Sequence, residues 1–183
     1  GPEFGLILRA DRTHDRRVSE GGLGCPNCRD RYPIIDGFGD LRAPPRGELQ
    51  KGLAGDPVRP AQEESESLLA LLGVTQGPAT LLLIGGPAAL GAGLAALLDN
   101  IQVVGMDADL GTWSGDPSWN RIVSHPGIPF FSCTLRGVVI DGRLSRQWFE
   151  EAARVIAPVS RVIVVNAAPT ATEWLQDAGL EIM

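Results

Sequence analysis

The stretch TLLLIGGPAALGAGLAALLDNIQVVGMDAD, residues 80–109, decides the fold of this chain. Its apolar run at residues 81–84 predicts a buried strand, and a second apolar run at residues 103–106 predicts another. Between the two runs lie a glycine-rich turn and a helix of small residues that ends near Leu98. Strand, glycine turn, helix and strand make the first half of a nucleotide-binding β-α-β unit.

The glycine turn and the acid after the second strand are the candidate ligand contacts. Gly85 and Gly86 let a ligand approach the backbone because neither carries a Cβ, and the start of the helix offers free N–H groups. Asp107 closes the second strand about twenty residues later, where an acid can accept hydrogen bonds from a ribose. Pro87 and Ala89 interrupt the glycine pattern, so a tight turn without a ligand is the alternative interpretation.

Length and composition set the broad class of protein. The chain has 183 residues, which suits one medium domain with a small appendage, and its hydrophobic fraction of 44% supports a core. The net charge of −6 argues against a general nucleic-acid-binding surface. Its apolar stretches are too short to span a membrane. Three cysteines, two of them in a Cys-x-x-Cys pair, suit a reducing compartment, so we expect a cytoplasmic protein.

Composition divides the chain into four parts. Residues 1–4, GPEF, are typical of a cloning scar. Residues 5–42 predict a small β module, and the proline- and glycine-rich residues 43–60 predict a linker. Strand and helix patterns alternate over residues 61–183 and end in a strand at residues 180–183. This alternation predicts an α/β domain with a doubly wound, mostly parallel sheet.

The β module contains a candidate metal site. Cys25 and Cys28 place two thiolates on one tight turn, which is half of a tetrahedral zinc site. Asp11 and His14 have the same spacing one loop upstream, so the four side chains together predict a mixed zinc site. A module with so few apolar residues usually needs a metal or a docking surface. In the alternative interpretation the metal has been lost, and the thiols are simply small buried residues.

The module also resembles a known family. The segment LGCPNCRDRYPIIDGFGDL is similar to the zinc-ribbon segment of the activator subunit of tRNA and translation-factor methyltransferases, which also precedes many bacterial methyltransferase domains. That family usually has a further pair of cysteines upstream, where this chain reads Ala-Asp-Arg-Thr-His. The missing pair of cysteines bears on metal binding rather than on the fold. The best-matching positions are Cys25, Cys28, Tyr32, Pro33, Ile34, Asp36 and Gly37.

A second resemblance covers residues 64–183. The segments LLLIGG, VVGMDAD, GVVID and WFEEAARVIAPVSRVIVV resemble a class I S-adenosylmethionine-dependent methyltransferase in their order. The resemblance implies a Rossmann-like methyltransferase sheet with S-adenosylmethionine as cofactor. It further implies that Gly85 and Gly86 contact the methionine part of the cofactor and that Asp107 contacts its ribose.

Several positions depart from that methyltransferase pattern. Leu83 stands where the first strand usually carries an acid, and both glycines are missing from the Pro-Gly-Gly element, which reads APVSR here. Trp113 and Trp119 follow the second strand, and we expect them to fill the sheet edge, with stacking on an adenine ring as the alternative.

These departures favour a degenerate methyltransferase-like protein. We expect a non-catalytic scaffold or partner-binding subunit that binds a partner protein or a second copy of itself. The alternative is an active S-adenosylmethionine-dependent methyltransferase with an unknown acceptor, because methyl transfer needs alignment and desolvation more than acid–base residues. A nucleotide-binding domain that uses NAD is a third interpretation, against which the missing third glycine counts.

Overall fold

The structure is a computed structural model. Residues 1–3 of the predicted cloning scar, residues 50–60 of the predicted linker and residue 61 at the start of the predicted α/β domain lie outside the described part of the chain. The structure describes residues 4–14, 17–49, 62–113, 115–116, 118–125 and 127–183.

The described residues form one mixed sheet of nine strands, flanked by helices. The order of the strands across the sheet is β1-β2-β3-β4-β7-β6-β5-β8-β9. In chain order the strands are β1 (Ile7–His14), β2 (Arg17–Gly24), β3 (Arg31–Ile35), β4 (Phe38–Asp40), β5 (Ala79–Ile84), β6 (Ile101–Met106), β7 (Asn120–Val123), β8 (Leu135–Asp141) and β9 (Ile156–Val165). The α-helices are α1 (Gln62–Leu72), α2 (Gly91–Leu97), α3 (Arg146–Val155) and α4 (Pro169–Asp177), and short 3₁₀ helices span Gly86–Leu90 and Ala108–Thr112.

The first four strands are antiparallel and belong to the same sheet as the rest. Strands β3 and β4 are joined by a two-residue turn at Asp36 and Gly37, which both have positive φ angles, of 49° and 69°. This combination suits the tight hairpin turns that match the twist of the strands. Strand β4 then pairs in parallel with β7, with Phe38 opposite Arg121. The segment that we predicted as a separate appendage therefore extends the larger sheet.

The remaining strands confirm the predicted mostly parallel α/β sheet. Strand β5 lies between β6 and β8 and is parallel to both. Its residues Leu81, Leu82 and Leu83 are completely buried, as expected for a central parallel strand covered on both faces. Leu83 therefore packs in the core at the position where a methyltransferase usually has an acid.

Helices cover the two faces of the parallel strands. Leu68 of α1 and Leu94 of α2 belong to one core cluster. Phe149 of α3 and Leu175 of α4 belong to the second cluster. Among the described residues, no helix is long and apolar enough to cross a membrane.

Two predicted elements differ from the structure. The segment after Asp107, which sequence patterns did not identify as a strand, contains β7. This strand has only four residues, and one of them is a buried arginine, Arg121, so it shows no clear hydrophobic pattern. The predicted final strand at residues 180–183 is wrong, because these residues have no regular secondary structure.

Candidate functional site

The candidate site lies at the carboxyl ends of the central strands, where open α/β sheets bind their ligands. Gly85 follows β5, Asp107 follows β6, and Asp141 is the last residue of β8. The charge of Asp141 contributes to the raised pKa of Asp107, and Gly85 packs against Asp141. The structure thus brings the predicted glycine turn and the predicted ribose acid to the same edge of the sheet.

The N–H groups of the glycine turn are already used within the chain. Gly85 donates to the carbonyl of Met106 at 3.0 Å, and Ala88 donates to the carbonyl of Gly85 at 2.8 Å. The N–H of Gly86 faces the carboxylate of Asp141 and lowers its pKa. Pro87 has no N–H to offer. Gly85 and Ala88 therefore have no N–H group left for an incoming ligand, Pro87 has none, and the N–H of Gly86 lies next to the Asp141 carboxylate.

An ion pair, which the sequence patterns did not reveal, covers this turn. Arg143 donates to both carboxylate oxygens of Asp141, at 2.9 and 2.6 Å, and its backbone N–H donates to the same carboxylate at 3.0 Å. These bonds hold the pKa of Asp141 below its usual range. The Asp141 side chain is 5% exposed and that of Arg143 is 72% exposed. The only sequence signal for the pair is the Asp-Gly-Arg spacing directly after a buried strand.

Asp141 and Leu144 restrict the space above the glycine turn. Gly85 has a φ angle of 73°, which glycine adopts without strain. A Cβ built on Gly85 would lie 3.2 Å from the Cβ of Asp141 and 3.5 Å from a methyl group of Leu144. The space next to Gly85 is therefore already occupied by the last residue of β8 and by Leu144, which follows it.

Asp107 caps the start of its own 3₁₀ helix. Its carboxylate accepts a hydrogen bond of 2.9 Å from the backbone N–H of Asp109. Burial raises the pKa of Asp107, and repulsion from Asp109 and Asp141 adds to the effect. The half-buried carboxylate thus has a structural role in the fold, in the position from which a ribose contact was predicted.

The Arg143→Ala variant is expected to lower the midpoint of thermal unfolding at pH 7. The pKa of Asp141 is depressed in the folded state, so the stabilisation is complete above the unfolded pKa of about 3.9 and is lost as the pH falls through the folded pKa. The difference between the melting curves of the wild type and the variant, recorded from pH 7 downward, should therefore stay constant above the unfolded pKa and shrink as the pH falls below about 3.9. A difference in unfolding midpoint between the two proteins that stays constant down to the acidic end would contradict a stabilising ion pair of Asp141 with Arg143.

The four predicted metal ligands do not come together. Cys25 and Cys28 share one exposed turn after β2, where the N–H of Cys28 lies 3.5 Å from the sulfur of Cys25. Strand pairing sets Ile7 opposite Gly24 at this end of the hairpin and His14 opposite Arg17 at the other end. At about 3.3 Å per residue, His14 lies roughly 20 Å from the thiols.

Asp11 does not complete the site either. Its carboxylate pairs with Arg9 at 3.1 Å on the exposed strand β1. Within the described ranges, no three His, Cys, Asp or Glu side chains are grouped so that they could hold a metal ion. The mixed site of Asp11, His14, Cys25 and Cys28 is therefore not supported, because the spacing argument ignored the length of the hairpin. Zinc binding through the two thiols alone stays a prediction.

Trp119 lies inside the protein rather than at a ligand surface. It is 3% exposed, and its ring packs against the backbones of Gly91 in α2 and Gly105 in β6. Trp113 contacts it edge to face at a centroid distance of 6.1 Å. The packing role expected for Trp119 agrees with this position.

Comparison with known proteins finds similar solved structures but no similar sequence family. No protein-family profile matches the chain, and no curated protein does. A precorrin-6y C5,15-methyltransferase from Geobacter metallireducens is similar with a TM-score of 0.50 and 15% identity, over 72% of this chain and 81% of its own.

Two further solved structures have the same TM-score of 0.50. The tRNA (m1A58) methyltransferase TrmI from Aquifex aeolicus is 12% identical over 68% of this chain, but the match spans only 54% of the TrmI chain. The cyclase SpnF is 14% identical over 71% of this chain and 60% of its own. At such identities the likeness concerns the fold, and the name of SpnF indicates that the fold is not confined to methyl transfer. The described chain therefore has a methyltransferase-like α/β fold.

Proposed function

We propose that this protein is a methyltransferase-like subunit that does not use S-adenosylmethionine and acts instead by binding a partner protein. The observation that carries the proposal is the state of the turn after β5. Gly85 and Ala88 donate their N–H groups to carbonyls within the chain, Pro87 has no N–H group, and that of Gly86 lies next to the Asp141 carboxylate. A carboxylate at the start of a helix is normally held by such N–H groups.

S-adenosylmethionine does not fit this arrangement. Its methionine carboxylate would have to compete with the Asp141 carboxylate for the N–H of Gly86, next to the ion pair with Arg143. Two carboxylates that compete for the same donor repel each other, so this position disfavours a second one. Leu144 further narrows the approach to Gly85.

An active methyltransferase of unknown acceptor is the second candidate, and one observation favours it. Asp107 lies at the carboxyl end of β6, next to the central strand, where an acid reaches a ribose in nucleotide-binding folds. For this candidate the ion pair of Asp141 and Arg143 has to open when the donor binds.

Calorimetric titration distinguishes the two candidates. With S-adenosylmethionine, S-adenosylhomocysteine or NAD as titrant, we expect dissociation constants weaker than about 1 mM. Asp107→Ala serves as the matched variant and should give the same trace as the wild type. Micromolar binding of S-adenosylmethionine that disappears in Asp107→Ala would overturn the proposal in favour of the methyltransferase, and the same result with NAD would favour a dinucleotide-binding protein.

A further inference from the structure

A large groove crosses the sheet face between the N-terminal strands and the loop that follows β7. Its volume is about 1000 Å³. The lining combines side chains from the antiparallel strands, the neighbouring parallel strands and the loop at residues 128–131. Most of the groove is apolar, with Leu8, Leu23, Tyr32, Ile34, Ile122 and Phe131 in its lining.

In the described part of the chain, this face lacks the helix that usually accompanies such a crossover. Parallel strands are normally connected by crossovers that contain a helix and cover the sheet. The crossover from β5 to β6 contains α2, and that from β8 to β9 contains α3. In the crossover from β7 to β8, residues 124–134, none of the described residues is helical. Leu8 of β1 and Phe131 of the loop, which both line the groove, are 54% and 46% exposed.

The charges in the groove have a single sign. Arg17, Arg121 and Arg154 belong to its described lining, which includes neither Asp nor Glu. Arg17 donates to the side-chain oxygen of Asn120 and to the carbonyl of Ser118. Arg154 pairs with Glu151, which lies outside the lining. Arg121 is buried and its guanidinium donates to three backbone carbonyls. Arg17 and Arg154 are therefore the partly exposed arginines of the lining, in a chain whose net charge is −6.

We propose that this groove receives an amphipathic helix of a partner protein, with the apolar face of the helix on the sheet and acidic residues along its flank. A helix with its side chains is about 10–12 Å wide, and helix-in-groove binding is a common mode of recognition. The helix of the partner thus takes the place of the missing crossover helix. The arginines select acidic over basic flanks. This inference rests on the partner-binding function proposed above.

The test uses two fluorescently labelled synthetic peptides with the same leucine face, one with glutamate flanks and one with lysine flanks. Fluorescence polarisation with the full chain should detect binding of the glutamate peptide and at least roughly tenfold weaker binding of the lysine peptide. Phe131→Glu should weaken binding of the glutamate peptide at least roughly tenfold. The matched control is Leu71→Glu, which makes the same charge change at an exposed residue of α1 outside the groove.

A second variant distinguishes a loss of binding from misfolding. Leu8→Glu changes a lining residue on β1, also at an exposed position, and should weaken binding as Phe131→Glu does, with melting curves confirming that both variants fold. The proposal is overturned if neither peptide binds, if the lysine peptide binds equally well, or if Leu71→Glu weakens binding as much. A dimer in light scattering that Phe131→Glu dissociates would instead assign the groove to a second copy of the chain.

These outcomes are independent of the test of the proposed function. Micromolar binding of S-adenosylmethionine alongside selective peptide binding would refute the non-catalytic role and leave the groove assignment intact. Lack of both kinds of binding would refute the groove assignment alone.

Discussion

Replacing Trp119 with alanine is expected to lower the free energy of unfolding by about 3–5 kcal/mol. The indole is 3% exposed and fills the space above Gly91 and Gly105. A Cβ on either glycine would lie 2.1 or 2.2 Å from a ring atom, which shows how closely the backbones approach the ring. The alanine variant leaves a cavity because the indole supplies the nearest atoms to both glycines. Urea denaturation followed by circular dichroism measures the loss.

A double-mutant cycle is the control for the Trp119 prediction. Gly105→Ala alone should destabilise the protein by about 1–3 kcal/mol, because the new methyl group collides with the indole. Combined with Trp119→Leu, the same change should cost less than it does in the wild type, so the two effects are not additive. A loss of under about 1 kcal/mol in Trp119→Ala, or strict additivity in the cycle, would show that the packing described for Trp119 is wrong.

Arg121→Met is expected to destabilise the protein by about 3 kcal/mol. The guanidinium is buried and donates to the carbonyl of Leu110 at 3.1 Å and to the carbonyls of Trp113 and Asp36. Methionine fills a similar volume but leaves the three carbonyls without this donor, and each unsatisfied buried group costs about 1–3 kcal/mol. The loss of the buried charge offsets part of this cost. Denaturant unfolding at pH 7 measures the difference.

Two further variants separate the hydrogen bonds of Arg121 from its charge. Arg121→Lys keeps the charge but cannot reach three carbonyls in a fixed fork, so we expect it to be nearly as destabilising as methionine. Arg136→Met changes an exposed arginine on β8 and should stay within about 0.5 kcal/mol of the wild type. Equal stability of Arg121→Lys and the wild type would show that the charge alone matters.

Much of the α/β sheet could be predicted from local patterns. The run of leucines in β5 is apolar on both faces and is followed by glycine, which indicates a central parallel strand. Helix α3 shows its apolar spacing clearly, with Phe149, Ala152 and Val155 all buried. Gly85 and Asp107 also lie at the predicted edge of the sheet, because the ends of consecutive parallel strands meet there.

The chemistry of the site could not be predicted in the same way. A sequence shows which residues of a turn carry an N–H group, but it does not show which acceptors lie near them. The Asp141 carboxylate lies next to the N–H of Gly86 because β5 and β8 pair in parallel. The four-ligand zinc site is not supported for a related reason. Equal spacing of Asp11 and His14 with the two cysteines says nothing about the strand register, which sets His14 at the far end of the hairpin.

The pairing of β4 with β7 changes what the small N-terminal segment needs in order to fold. Short β segments of this size depend on a cross-link or an ion when they must stand alone. Here a ladder of backbone bonds, with Phe38 and Asp40 opposite Arg121 and Val123, attaches the segment to a scaffold that already has two cores. Anchorage of this kind lets the segment fold as part of the larger sheet, so its stability does not have to come from a bound ion alone.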